Sequence, residues 1–130
     1  MEIEIDVGSA EPVYEQIVRQ IRQGVQGGTL PAGMPLPSIR QLAHDLDLNP
    51  NTVAKAYKLL ENDWIIRTAG QKGTFINSGA AGHVETSNRK DAANQMSGLL
   101  SALVRKGLSV RELQTAFQEA LGKLDAGGPA

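Results

Sequence analysis

The stretch from Leu36 to Thr52, LPSIRQLAHDLDLNPNT, leaves this chain few choices of fold. Pro37 and Ser38 open one helix. Ser38 and Gln41 stand at capping-box spacing, so each side chain is expected to satisfy a free backbone N–H of the first turn. Leu42, Ala43 and Leu46 give that helix an apolar face. Asp47 and Leu48 make the turn, and Asn49 caps a second helix whose first position is Pro50, where a missing N–H costs nothing. Two caps this close leave no room for a long loop and specify a helix-turn-helix. That geometry commonly places its second helix in the major groove of double-stranded DNA.

The flanking segments complete the domain. Ile3 and Ile5 alternate with acidic residues, as in a short edge strand or an extended arm. A helix is expected from Pro12 to about Gln26, with Val13, Ile17, Ile21 and Val25 on one face and Tyr14 and Val18 beside them; Gly27 and Gly28 end it. LPAGMPLP, from Leu30 to Pro37, reads as a stiff connector. The second helix of the motif should run from Pro50 to Asn62, with Val53, Ala56, Leu59 and Leu60 inward. Ile65 to Thr68 and Thr74 to Ile76, joined by the glycine-containing AGQKG turn, form a hairpin. The fold class is mainly α with a small β-hairpin: a winged helix-turn-helix over residues 1–77, followed by a two-helix tail.

Residues 78–87 are small and polar and read as a linker. A helical tail is expected over 88–125, with 126–130 a disordered terminus. Met96, Leu99, Leu100 and Leu103 form the stripe of its first helix, and Leu113, Phe117 and Leu121 lie along its second. Ser109 and Glu112 make another capping-box pair. These leucine-rich faces can be buried by docking on the chain's own winged helix or by pairing with the same hairpin of a second chain; the homodimer is favoured, because a symmetric dimer also matches a symmetric operator.

With 130 residues, the chain can hold one real core and an appendage. It has no cysteine, hence no disulfide framework and no thiolate chemistry. No apolar run approaches the ~20 residues of a membrane span, and the acidic start MEIEIDV lacks a signal-peptide plan; a cytoplasmic location and no membrane partner are expected. The net charge of −1 excludes a simple polycation that coats nucleic acid. From Pro37 to Ile76 five bases face four acids, a balance of +1, so the non-specific, salt-sensitive part of any DNA binding should be modest. His44 and His83 lie far apart, without metal-ligand spacing. No nucleophile–base pair or phosphate-binding glycine loop is visible, so no cofactor and no enzymatic activity are expected.

The segment from Pro12 to Ile76 resembles the GntR family of bacterial transcription regulators, through PVYEQIVRQI, LPAGMPLPSIRQLA, LNPNTVAKAYKLLE and KGTFI. LLSALVRKGLSVRELQTAFQEAL and NPNTVAKAY are similar to the short-tailed YtrA subfamily. The resemblance implies a dimeric regulator of repressor type, often controlling transporter operons. It also implies that Arg40 contacts DNA. Many members place arginines where Pro50 and Ala54 stand here, so Asn49, Asn51, Thr52 and Lys55 are the candidates to read or position the groove. Ser38 is a cap first and a phosphate contact second. Lys72, beside Gly73 in the wing, takes the place of an arginine and neutralises phosphate without a bidentate fork. Trp64 replaces a common glycine, and Asn62 could supply the left-handed cap there. Trp64 is expected to pack, and Tyr57 to be half-buried. Two other functions compete: a winged helix used as a protein-interaction module, and a sensor whose small-molecule effector, of unknown identity, acts through the tail.

Overall fold

Left-handed residues close the helices and set the path of the chain. The structure, a computed structural model, describes residues 1–127. Helix α1 spans Val13–Gly27, strand β1 Pro35–Leu36, α2 Ile39–Leu46 and α3 Pro50–Asn62. Strand β2 (Ile66–Thr68), a single 3-10 turn (Gly70–Lys72) and β3 (Thr74–Ile76) form the wing, and α4 (Ala80–Arg105) and α5 (Val110–Gly127) follow. Asp47 has φ 55° after α2. The Leu48 N–H returns to the Ala43 carbonyl at 2.8 Å and the Asp47 N–H to His44 at 3.3 Å, the paired bonds of a Schellman closure.

Helix α3 ends in the same way, and the left-handed residue is Trp64, at φ 62°, rather than Asn62. The Ile65 N–H bonds to the Leu60 carbonyl and the Trp64 N–H to that of Glu61, both at 3.0 Å. Leu60 and Ile65 are both fully buried, which supplies the hydrophobic contact this motif favours. The Trp64 ring does not pack as expected: 66% of the residue is exposed, because the left-handed turn directs it away from the core.

One core holds the first unit, Met1–Asn88, together. Ile17, Val18, Ile21 and Val25 of α1 meet Val53, Ala56, Tyr57 and Leu60 of α3, with Leu42 and Ala43 from α2. Leu59, expected inward, is 38% exposed, and Tyr57 occupies the inward position instead. The connector is not a plain loop. Its Pro35 and Leu36 pair antiparallel with Phe75 and Thr74, making a three-stranded sheet in the order β1-β3-β2. Ile66 and Ile76 pair on its inner side and are buried.

One segment departs from the sequence reading, and at another the structure decides between two alternatives. Residues 78–87 are not a linker: α4 begins at Ala80, and Ala80 and Val84, one helical turn apart, are buried in the core at 4% and 0% exposure. Their neighbours are small and polar, so the composition resembles a linker while two positions carry the packing. The N-terminal residues form an extended arm without strand pairing. The Gln16 and Gln20 side-chain amides stand in for a strand. Gln16 accepts from the Asp6 N–H and donates to the Asp6 carbonyl, both at 2.9 Å, and Gln20 does the same for Glu4 at 2.9 and 2.7 Å. Ile3 is thereby held in the core.

The second unit starts at Arg89. In it α4 turns through Gly107 (φ 105°) into α5. Ser109 and Glu112 form the full capping box, each side chain bonded to the other's backbone N–H at 3.1 Å. The backbone N–H and then the hydroxyl of Ser109 hold the Glu112 carboxyl below its ordinary pKa. The expected disordered terminus is helical as far as Gly127, and residues 128–130 lie outside the described residues. Among the described residues no helix is long and apolar enough to cross a membrane.

The arm yields a stability prediction. Gln16→Leu keeps the volume and strips the buried amide of its bonds to Asp6 and Glu11. It should cost about 1–3 kcal/mol, the penalty for leaving part-buried backbone groups unpaired, read as a lower denaturation midpoint. An unchanged midpoint would show that the arm contributes nothing to the fold.

Candidate nucleic-acid interface

The candidate surface is built from two capped helix starts and the wing. At the start of α2, the Ser38 hydroxyl accepts the Gln41 N–H at 3.0 Å. The capping box is only half made, because the Gln41 amide donates to Asp45 at 2.7 Å instead of returning to Ser38. At the start of α3, the Asn49 carbonyl oxygen accepts the Asn51 N–H at 2.8 Å, which leaves the amide N–H2 donors of Asn49 unused by the cap. Pro50 fills the first position of α3. The unpaired N–H groups of both first turns favour an anion.

Arg40 stands in the first turn of α2, exposed. Asn49 and Asn51 are exposed at the head of α3, and Thr52 is half-buried. Lys72 is exposed at the end of the wing's 3-10 turn. Gly73 follows with φ 107°, and its carbonyl accepts the Ala69 N–H at 2.8 Å, which folds the tip. Both Gly70 (φ 57°) and Gly73 occupy backbone that side chains rarely adopt.

An open groove of about 500 Å³ separates the start of α2, α3 and the inner side of the wing. Ser38, Ile39, Lys58, Thr68 and Gly73 line it. Of the expected site residues, Ser38 and Gly73 are thus brought to one groove although they lie far apart in the chain. Asn49, Asn51, Thr52 and Lys55 do not line it and occupy the leading turns of α3. Thr68 hydrogen-bonds Glu61, tying the wing to α3.

Three features escaped the sequence reading. Lys58 lines the groove, where charge alone could not separate it from a solvated lysine. Arg67 lies over the Phe75 ring, 5.2 Å from its centroid, across the β2–β3 register. The Lys55 ammonium lies over the Tyr14 ring, and only the tertiary approach of α1 to α3 brings them together.

Tyr57 anchors the surface from below. It is buried rather than half-buried, and its hydroxyl donates to the Pro37 carbonyl at 2.7 Å, fixing the entry to α2 against α3. Burial pushes its phenol pKa above the ordinary value.

In the tail, Met96, Leu99, Leu100, Phe117 and Leu121 are exposed, together with Val104, Val110 and Leu124. Leu103 is half-buried and Leu113 is buried at 8% exposure, so these two serve the tail's own packing. An open groove of about 630 Å³ runs along α4, lined by Ala93, Met96, Ser97, Leu100, Ser101 and Val104.

Three packed helices closed by a small sheet, with capped and exposed first turns at α2 and α3, define a winged helix-turn-helix module. The family model for bacterial regulatory proteins of the gntR family matches residues 13–76. The chain is 46% identical over 78 residues to the HTH-type transcriptional repressor YtrA of Bacillus subtilis (strain 168), and this match spans 60% of each chain. It is 31% identical over 105 residues to the uncharacterized HTH-type transcriptional regulator YhcF of the same organism, spanning 81% of this chain and 86% of that one. The crystal structure of a transcriptional regulator from Oenococcus oeni matches with a TM-score of 0.64 at 36% identity, covering 90% of this chain and 97% of that one. The chain belongs to the GntR family of bacterial regulatory proteins. These relatives carry the names of transcription regulators.

Tyr57 makes stability fall at alkaline pH. Above the unfolded phenol pKa of about 10 the unfolded chain loses this proton while the folded chain keeps it, so the unfolded state binds fewer protons and stability declines as pH rises. Below that pH the contribution is fully present. Tyr57→Phe should lower stability at pH 7 by about 0.5–1.5 kcal/mol, the worth of one hydrogen bond, and flatten the loss above about pH 10. Denaturation across pH 7 to 11 measures both, and parallel curves for the two proteins would refute the assignment.

Proposed function

We propose that this chain is a homodimeric, sequence-specific DNA-binding transcription regulator of repressor type that binds an inverted-repeat operator. The observation that carries the reading is the joint exposure of two capped helix starts and a lysine-bearing wing, with the α2 start facing the wing across one groove. Each subunit inserts α3 into the major groove of one half-site, with Asn49, Asn51, Thr52 and Lys55 leading. Arg40 and the α2 start hold backbone phosphate, assisted by Ser38, and the wing tip at Lys72 and Gly73 grips alongside. Half-sites then lie about one helical turn, 34–36 Å, apart, or a multiple of it. The YtrA-like tail and the family resemblance favour a transporter operon among the targets.

The dimer reading rests on the tail. Met96, Leu99, Leu100, Phe117 and Leu121 leave apolar surface in water, a pattern that marks an interaction site. A second copy supplies the same leucine-rich faces and covers them by two-fold symmetry.

Selection of bound sequences from random duplex DNA tests the reading: an enriched inverted repeat is expected, and no enrichment by folded protein would reject it. On that site Arg40→Ala should weaken binding by about 1.5–3 kcal/mol, the value of a charge-assisted bond, or roughly ten- to a hundredfold. Its melting temperature should hold, because the side chain is exposed. Wild-type affinity at physiological salt would remove Arg40 from the interface. Lys72→Ala should lower the magnitude of the logarithmic salt slope by about 1. In sedimentation the unaltered protein should run as a dimer and Leu100→Glu as a monomer; a monomeric unaltered protein would refute the dimer.

A further inference from the structure

Tyr14 and Lys55 come from different helices and meet at the leading end of the surface just described. Tyr14 lies in the first turn of α1, half-buried against the core, and its hydroxyl bonds to Glu15 at 3.2 Å. Lys55 is exposed on α3. Its Nζ lies 3.9 Å from the centroid of the Tyr14 ring, well within the roughly 6 Å over which a ring face attracts a cation. The other lysines of the surface differ: Lys58 and Lys72 make no side-chain hydrogen bond, ion pair or ring contact among the described residues. Lys55 therefore has its ammonium placed before any ligand arrives.

An ammonium has three N–H donors, and a ring face on one side leaves the opposite side open to an acceptor. A free lysine loses the rotamer freedom of its long stem when it grips a phosphate. A packed ring that already holds the charge removes part of that loss. We infer that Tyr14 is a positioning residue for DNA binding: its ring holds the Lys55 ammonium where α3 meets the phosphate backbone. The inference rests on the proposed assignment of Lys55 as a DNA contact. The Tyr14 hydroxyl is incidental to it, since the ring face does the work.

The test uses the full-length chain and a duplex carrying the selected site, with affinity measured across a salt series. Lys55→Ala should weaken binding roughly ten- to a hundredfold, the range of one charge-assisted bond, and reduce the salt slope by about 0.9 for one lost phosphate contact. Tyr14→Leu should weaken binding several-fold in the natural background and have no further effect when combined with Lys55→Ala. Tyr14→Phe, which keeps the ring, should recover most of the affinity lost in Tyr14→Leu. An equal loss from Tyr14→Leu with or without Lys55 would overturn the positioning role, as would tighter binding by Tyr14→Leu, which would mean that the ring withholds the lysine. A silent Lys55→Ala would overturn the contact itself, and the inference with it. If Tyr14→Leu does not fold, the unaltered protein still decides: ring-current shielding should move the Lys55 Cε protons upfield in its proton spectrum, and unshifted protons would reject the contact.

Discussion

The turn between α2 and α3 is the constraint that the rest of the molecule obeys. Asp47 adopts a left-handed conformation that costs an L-residue about 1–2 kcal/mol, and two backbone bonds into the last turn of α2 hold it there. Asn49 starts α3 two residues later. With the chain reversed in so few residues, the buried faces of α2 and α3 must meet, and Leu42 and Ala43 share one core with Val53 and Ala56. The exposed first turns follow from the same geometry. A helix start that caps itself and buries its other face has only its leading N–H groups and side chains to offer outward.

The site is assembled by ties from three directions. Tyr57 bonds to Pro37 and fixes the start of α2 from beneath. Thr68 bonds to Glu61 and holds the wing to α3. Arg22 of α1 donates to Asp63 just past α3 at 2.6 Å and to Ser87 of α4 at 2.9 Å, and the Ser87 hydroxyl donates to Asp63 at 3.1 Å. These groups are partly exposed, so a single ion pair among them is worth at most about 1 kcal/mol. Their effect is geometric, since the network fixes the end of α3 to α1 and to the first turns of α4. Arg40, Lys55, Lys58 and Lys72 are all exposed, and so are the acids Asp45, Asp47 and Glu61 of the same segment; Asp45 and Glu61 are engaged by Gln41 and Thr68, and the half-buried Asp63 by Arg22.

Much of this fold was legible in the sequence because its signals are local. Ser38, Asn49 and Pro50 mark helix starts by chemistry that acts within one turn. Periodicity placed Ile17, Ile21 and Val25 in the core. The glycines of AGQKG marked the wing. Two of the misreadings share a cause, which is that their determinants lie elsewhere in the chain. Pro35 and Leu36 become a strand only because β3 offers them an edge. Residues 78–87 read as a linker because Ala80 and Val84 declare themselves only against a core built by other segments. Two others are local: Gln41 leaves its capping box for Asp45, a choice that spacing did not rank. Trp64 looked like core by its chemistry, and the Schellman turn exposed it.

The sequence by itself determined the helix-turn-helix, the wing and the residue types at their tips, because caps, turns and helical periodicity are encoded within a few neighbouring positions. Tertiary structure decided which of those residues share a surface. Ser38 meets Gly73 across one groove, Tyr14 meets Lys55, and Arg22 meets Asp63 and Ser87. Such meetings depend on the angles and distances at which helices pack. Those are set by the summed shape of the buried side chains, a property that no single stretch of the chain contains.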